Sequence, residues 1–141
     1  MSKIVVDTNV IVALLDKKDV HHARATGLVE RIEAQQREIV LMDCILVELY
    51  SVIARRSQER GYNVSKAIKY IREIEETYQV IRAYDFRTTL HNKVLDLIIG
   101  TSGKLSYHDA LIALVMQRKR MKRIATFDRD FFAIEWIEVE C

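Results

Sequence analysis

The sequence has no proline, only four glycines, two cysteines and one tryptophan. Helix breakers are therefore scarce, and long helices are expected between short connections. The cysteines, Cys44 and Cys141, stand at no metal-type spacing. That excludes a disulfide framework and a cysteine-based zinc site, and reduced thiols in a reducing compartment are expected. No stretch approaches the ~18 consecutive apolar residues of a membrane span. The apolar run before Asp7 is too short for a signal-peptide core, so a cytoplasmic protein with no membrane contact is expected. Charge of one sign is missing as well. The net charge is +2 on 141 residues, so nucleic-acid binding would have to rest on local clusters.

What is present fits one globular domain over residues 1–141, half hydrophobic and 30% charged. Short β-type runs recur at Lys3–Val6, Ile39–Met42, Gln79–Ala83, Arg123–Thr126 and Trp136–Val139. Helical patterns cover Val10–Leu15, His21–Gln36, Cys44–Arg60, Ser65–Thr77, Phe86–Ile99 and Ser106–Met121. Strands that alternate with helices predict an α/β fold with a mostly parallel sheet and helices on both faces. Sites in such folds lie beyond the carboxyl ends of the strands.

Acids stand where those ends fall. The run Ile4-Val5-Val6 stops at Asp7-Thr8-Asn9 and resumes as Val10-Ile11-Val12. Any one of the three polar residues could cap the next helix, but capping needs one, not three. Glu48, in "CILVELYSVIARR", shares a helical face with Ile45 and Val52, where an unpaired carboxylate is costly. Asp109, in "LSYHDALIALVM", follows Ser106 by three residues, the spacing of a capping box, yet it heads the apolar stripe of Ile112, Ala113 and Met116. In "IATFDRDFF", Asp128 could cap a short helix through Phe131-Phe132 while Asp130 decorates its first turn; Thr126 adds a hydroxyl at the strand end. Each local reading works alone. A parallel sheet would nevertheless bring all four acids to one crevice, where they repel unless a cation offsets them. Oxygen ligands suit Mg²⁺ or Mn²⁺; zinc fits poorly without His or Cys at ligand spacing.

The four segments "VVDTNVIVALLD", "VELYSVIARR", "LSYHDALIALVM" and "IATFDRDFF" resemble, in order and spacing, the acidic motifs of the PIN-domain nucleases. More narrowly they resemble the small VapC-type toxins of type II toxin–antitoxin pairs, over essentially the whole chain. The resemblance implies a PIN-like three-layer α/β/α sandwich around a parallel sheet of four to five strands. It implies that Asp7, Glu48, Asp109 and Asp128 hold one or two Mg²⁺ or Mn²⁺ ions, with Asn9, Thr126 and Asp130 in support. His21 and His22 would be structural, and His108 no fixed part of the site. The implied reaction is metal-assisted hydrolysis of RNA by water, leaving 5′-phosphate and 3′-hydroxyl ends. The implied partners are a small antitoxin, with its C-terminal segment along the groove, and a second copy in a homodimer.

RNA also calls for cations around the acids. Arg55, Arg56 and Arg60 follow Glu48 on its helix and are the expected RNA contacts. The run Arg118-Lys119-Arg120 with Lys122 and Arg123 falls at the far end of its helix, away from the strand carboxyl ends. Two other enzyme classes fit less well. A haloacid-dehalogenase-like phosphatase would need a second aspartate where Asn9 stands, and a receiver domain would need more from Asp85 than its position offers. The remaining alternatives are a PIN-like module that binds RNA or protein without cutting, and a nuclease of RNA processing rather than a toxin.

Overall fold

Ile4, Val5 and Val6 are wholly or almost wholly removed from solvent, because their strand is the middle one of five. A computed structural model describes residues 2–141. Its elements run β1 (Lys3–Val6), α1 (Thr8–Leu15), α2 (His22–Ala34), β2 (Glu38–Met42), α3 (Asp43–Arg60), α4 (Val64–Thr77) and β3 (Gln79–Ile81). They continue with α5 (Arg87–Gly100), α6 (Tyr107–Arg118), β4 (Arg123–Ala125) and β5 (Glu138–Glu140). All four strand pairings are parallel, in the order β3-β2-β1-β4-β5. The strands buried on both faces read as unbroken apolar runs for that reason. Right-handed crossovers put α1 to α4 on one face and α5 and α6 on the other, consistent with the packing of α1 on α2 and α3, α3 on α4, and α5 on α6. This is the expected three-layer sandwich, with five strands.

The boundaries that moved did so for identifiable reasons. The third strand stops at Ile81, because Ala83–Phe86 tightens into a 3₁₀ turn. The fifth strand slides to Glu138–Glu140, while the indole N–H of Trp136 donates to the Ala113 carbonyl and docks that side chain on α6. α3 ends at Gly61, whose φ of 71° supplies the left-handed cap that a side chain would disfavour. α6 stops at Arg118, and the chain reverses through Arg120 at φ 58° into β4. None of the described helices is long and apolar enough to cross a membrane.

The order of the sheet positions the site. β1 lies between β2 and β4, so their carboxyl ends open side by side onto the starts of α1, α3 and the segment after β4. A crevice forms where connections leave a sheet in opposite directions, here between β1 and β4.

Candidate active site

The register pairs Val6 with Ala125, which makes Asp7 and Thr126 neighbours just beyond the sheet. The Asp7 N–H donates to the Ala125 carbonyl at 2.9 Å, continuing the ladder by one bond. The Asp7 side chain then does two things. Oδ1 accepts from the Thr8 N–H at 2.8 Å, capping α1, and Oδ2 accepts from the Thr126 hydroxyl at 2.8 Å. Capping is thus real, but it occupies one oxygen and explains neither the burial nor the neighbours. Thr8, beyond starting the helix, reaches α3: its hydroxyl lies 3.1 Å from the Ile45 carbonyl and 3.4 Å from Glu48 Oε2. Asn9 bridges the strands, with Nδ2 3.1 Å from the Thr126 hydroxyl and Oδ1 accepting the Phe127 N–H at 3.1 Å.

The other acids arrive from separate elements. Asp109 occupies the third position of α6 and closes the capping box with Ser106. Asp128 caps a short 3₁₀ turn, accepting from the Asp130 N–H at 2.9 Å while its own N–H donates to Thr126 at 3.0 Å. Glu48 sits at the solvent edge of the face it shares with buried Cys44 and Ile45, so its stem follows the core and its carboxylate enters the cleft. Asp7, Glu48, Asp109 and Asp128 line one cavity of 260 Å³, together with Thr8, Asn9, Ser106 and His108. Asp130 and Thr126 stand behind it; Thr126 is fully buried and holds Asp7, and Asp130 holds Asp128 through its backbone.

The electrostatics are those of an uncompensated acidic pit. Asp7 is only 6% exposed, and burial, reinforced by Asp109 and Glu48, pushes its carboxyl from 3.8 up to about 6, against the hydrogen bonds from Thr126 and Thr8. Burial raises Asp109 too, helped by the charges of Asp128 and Glu48. Repulsion by Asp128 raises Asp130. Among the described residues, no three His, Cys, Asp or Glu side chains are drawn together tightly enough to chelate a metal as they stand. The donor set is all oxygen, which suits Mg²⁺: that ion is usually held by one or two carboxylates and keeps several of its waters.

The histidines divide as follows. His22 Nδ1 lies 2.8 Å from the Ala13 carbonyl and ties α2 to α1. His21 stacks against Phe127, with ring centroids 5.2 Å apart. His108 lines the cavity and lies 3.4 Å from the Tyr84 hydroxyl. Of the three arginines after Glu48, Arg56 is ion-paired to both Asp16 and Asp19 at 2.8 Å, and Arg60 is paired to Asp16. Both aspartates are held below the usual range: burial, the largest single influence, raises them, but Arg56 together with the backbone N–H groups of Lys18 and His21 and, for Asp16, Arg60 outweighs it. Arg55 has no such partner among the described residues and lines a 480 Å³ trough that continues from Glu48 and Asp128 past His21 and Phe127. The basic run after α6 lies at the amino ends of β1 and β4, lining a separate cavity with Lys3 and Gln79. Asp85 pairs with Arg82 on the surface and does not line the acidic cavity.

One residue went unnoticed in the sequence. Asp43 stands at the end of β2 as Asp7 stands at the end of β1, an acid between an apolar strand and a helix. Its carboxylate turns the other way, accepting from the backbone N–H groups of Cys44 at 2.9 Å, Ala83 at 2.8 Å and Tyr84 at 3.3 Å. The signal was its position, the same as that of Asp7. Its partners, about forty residues downstream, were invisible.

The chain is similar in sequence and in fold to known proteins. The chain is 20% identical over 131 residues to the ribonuclease VapC1 of Aquifex aeolicus, covering 93% of this chain and 85% of that one. The VapC20 toxin of Mycobacterium tuberculosis, described as cleaving the sarcin-ricin loop, superposes with a TM-score of 0.75 at 23% identity, covering 98% of this chain and 99% of that one. A DNA-bound VapBC from Salmonella typhimurium gives a TM-score of 0.71 at 18% identity, with 99% and 98% covered. The family model of the PIN domain matches residues 4–137, from the start of β1 almost to β5, a span that includes all four acids. With that match over nearly its whole length, and with the fold it shares with these proteins, the chain belongs to the PIN domain family.

Proposed function

We propose that this protein is a Mg²⁺- or Mn²⁺-dependent endoribonuclease, the toxin of a toxin–antitoxin pair, acting in the cytoplasm. The observation that carries the reading is the meeting of Asp7, Glu48, Asp109 and Asp128, from four separate elements, in one cavity at the carboxyl ends of the strands. Their distant relatives named VapC are a ribonuclease and a sarcin-ricin loop-cleaving toxin, which favours RNA as the substrate.

The chain's own groups supply the frame. Thr126 and the Thr8 N–H fix the two Asp7 oxygens in direction, Ser106 fixes Asp109, and the turn after β4 fixes Asp128. Glu48 comes from the opposite wall and is steadied by Thr8. These four carboxylates would hold the metal, and until it binds they repel the phosphates of RNA. When bound, a divalent cation lowers the pKa of water and offsets charge on the phosphate oxygens. The protein offers no covalent alternative. Burial pushes the Cys44 thiol up to about 12, so it carries no thiolate at neutral pH.

The partners follow the same reading. The VapBC proteins of Rickettsia felis and Salmonella typhimurium and the toxin–antitoxin complex of Klebsiella pneumoniae share this fold. A groove of 730 Å³ between α1, α3 and α4, floored by Leu14, Leu15, Ile53, Ala67 and Tyr70, offers apolar surface for an antitoxin segment or a second copy.

The test is cleavage of mixed single-stranded and structured RNAs by the wild type and by Asp7→Asn, purified identically, with Mg²⁺, Mn²⁺ or EDTA. Cutting that needs metal and disappears in the variant supports the reading. Equal cutting by both proteins overturns the site, and metal binding without cutting by the wild type favours a PIN-like binding module.

A further inference from the structure

Phe127 follows Thr126 and precedes Asp128, so the chain inserts an aromatic ring directly beside the acids. The ring is the shared wall of two cavities, each of which also includes Asp128. One is the 480 Å³ trough with Arg55, Val52 and His21; the other is a 310 Å³ pocket with Arg24, Arg129 and Phe132. Two planar groups from the start of α2 lie on the ring. The Arg24 guanidinium carbon is 4.6 Å from its centroid, and the His21 ring is 5.2 Å away at a 40° tilt. Both have exposed outer surfaces. Phe132, on the far side of the second cavity, is 63% exposed, which is a lot for a phenylalanine with nothing to cover it.

The charges fall in the same place. Arg24, Arg55 and Arg129 have no carboxylate at ion-pair distance among the described residues, whereas nearby Arg56 and Arg60 are paired. Unpaired cations therefore line the cavities on both sides of the aromatic wall, and Asp128 of the acidic cleft borders both. That is the chemistry of a single-stranded nucleic-acid channel: cations that follow the backbone, and planes on which bases stack.

We infer that Phe127, with Arg24 and His21 stacked on it, is a wedge that splays two adjacent nucleotides of single-stranded RNA, one base entering the Arg55 trough and the other the Phe132 pocket, so that the phosphate between them faces Asp128. The inference rests on the ribonuclease reading and adds to it the residues that part the two nucleotides and the cavity that receives each base. A base-paired strand keeps its neighbours stacked and cannot straddle the ring.

The experiment measures binding by fluorescence anisotropy in Mg²⁺, using a short fluorescein-labelled oligouridylate and an RNA duplex of the same length. Every protein carries Asp109→Asn, so that the probe stays uncut. Phe127→Leu removes the aromatic face, and Arg24→Lys keeps the charge while removing the guanidinium plane on an exposed helix position that cannot threaten the fold. The parent is expected to prefer the single strand. Each variant should bind the single strand several-fold to tenfold more weakly, as expected for a lost stacking partner, and should bind the duplex as the parent does. Because every base has a stackable face, failure of the parent to bind oligouridylate overturns the inference. So does equal binding of both probes, or unchanged binding in both variants. The ribonuclease reading fails separately: the chain with Asp109 intact would cut no RNA in Mg²⁺ or Mn²⁺.

Discussion

Thr126 donates its hydroxyl hydrogen to Oδ2 of Asp7 across 2.8 Å, joining residues 119 positions apart at the ends of adjacent strands. The same hydroxyl oxygen accepts the N–H of Asp128, so one fully buried side chain sets two of the four acids relative to each other. The cleft is a strained electrostatic arrangement on a rigid polar frame, and its behaviour can be predicted from that.

Replacing Asp7 by Asn should separate function from stability. The amide oxygen can still cap α1, since Asn caps about as well as Asp, and the charge that burial and two neighbouring acids oppose is gone. In EDTA near neutral pH the variant should be more stable than wild type, by about 1–2 kcal/mol. On the proposed metal site, Mg²⁺ should raise the melting temperature of wild type and leave the variant unmoved. Calorimetry with and without metal checks both statements, and the cleavage assay should show activity lost.

The pH dependence has a definite sign. Asp7 holds its proton more tightly when folded, up to about 6 against an ordinary 3.8. Its contribution to stability is therefore complete below about pH 4 and is lost as the pH rises through about 6. Asp109 is shifted in the same direction. Asp16 and Asp19 are shifted the other way, so their contribution is present above pH 4 and disappears only in stronger acid. Metal-free wild type should lose on the order of 2–3 kcal/mol between pH 4 and 7 from Asp7 alone. Urea titrations at several pH values would show this, and Asp7→Asn should flatten the curve.

The two arginines Arg55 and Arg56 should part company. Arg56→Ala breaks the pairs with Asp16 and Asp19 that pin the end of α1 to α3, and should lower the melting temperature. Arg55→Ala touches no pair and should leave it unchanged. Only the Arg55 variant should bind RNA more weakly with an intact fold, with the slope of log affinity against log salt reduced by about 0.7 if one phosphate contact is lost.

Asp43 should prove structural. Asp43→Ala leaves the N–H of fully buried Ala83 without its acceptor and should cost about 2 kcal/mol. Asp43→Asn keeps an acceptor oxygen and should cost less. Metal binding should survive in both. Loss of the metal response in a folded Asp43→Asn protein would contradict the assignment.

The sequence announces the layered fold through the alternation of apolar runs and helical patterns, and Asp7, Asp109 and Asp128 through their place at the ends of such runs. Glu48 is legible as a carboxylate beside the apolar stripe of its helix, although α3 turns it to the solvent edge of that stripe and not into it. What periodicity reports is the face on which a side chain stands, never the distant group it meets. For that reason the capture of Arg56 by Asp16, the turning of Asp43 toward Ala83 and the stacking of Arg24 on Phe127 were out of reach. The slide of the last strand to Glu138–Glu140 follows from Trp136 docking on α6, which is again a long-range event.

The central place of β1 also bears on synthesis. β1 has one neighbour, β2, close behind it in the chain and gains the other, β4, only at residues 123–125. Asp7 therefore leaves the ribosome more than a hundred residues before Thr126 and Asp128 can join it. Pairing over such a separation is slow and comes late in folding. The cleft therefore cannot assemble until the chain has been made past Asp128, more than a hundred residues after Asp7.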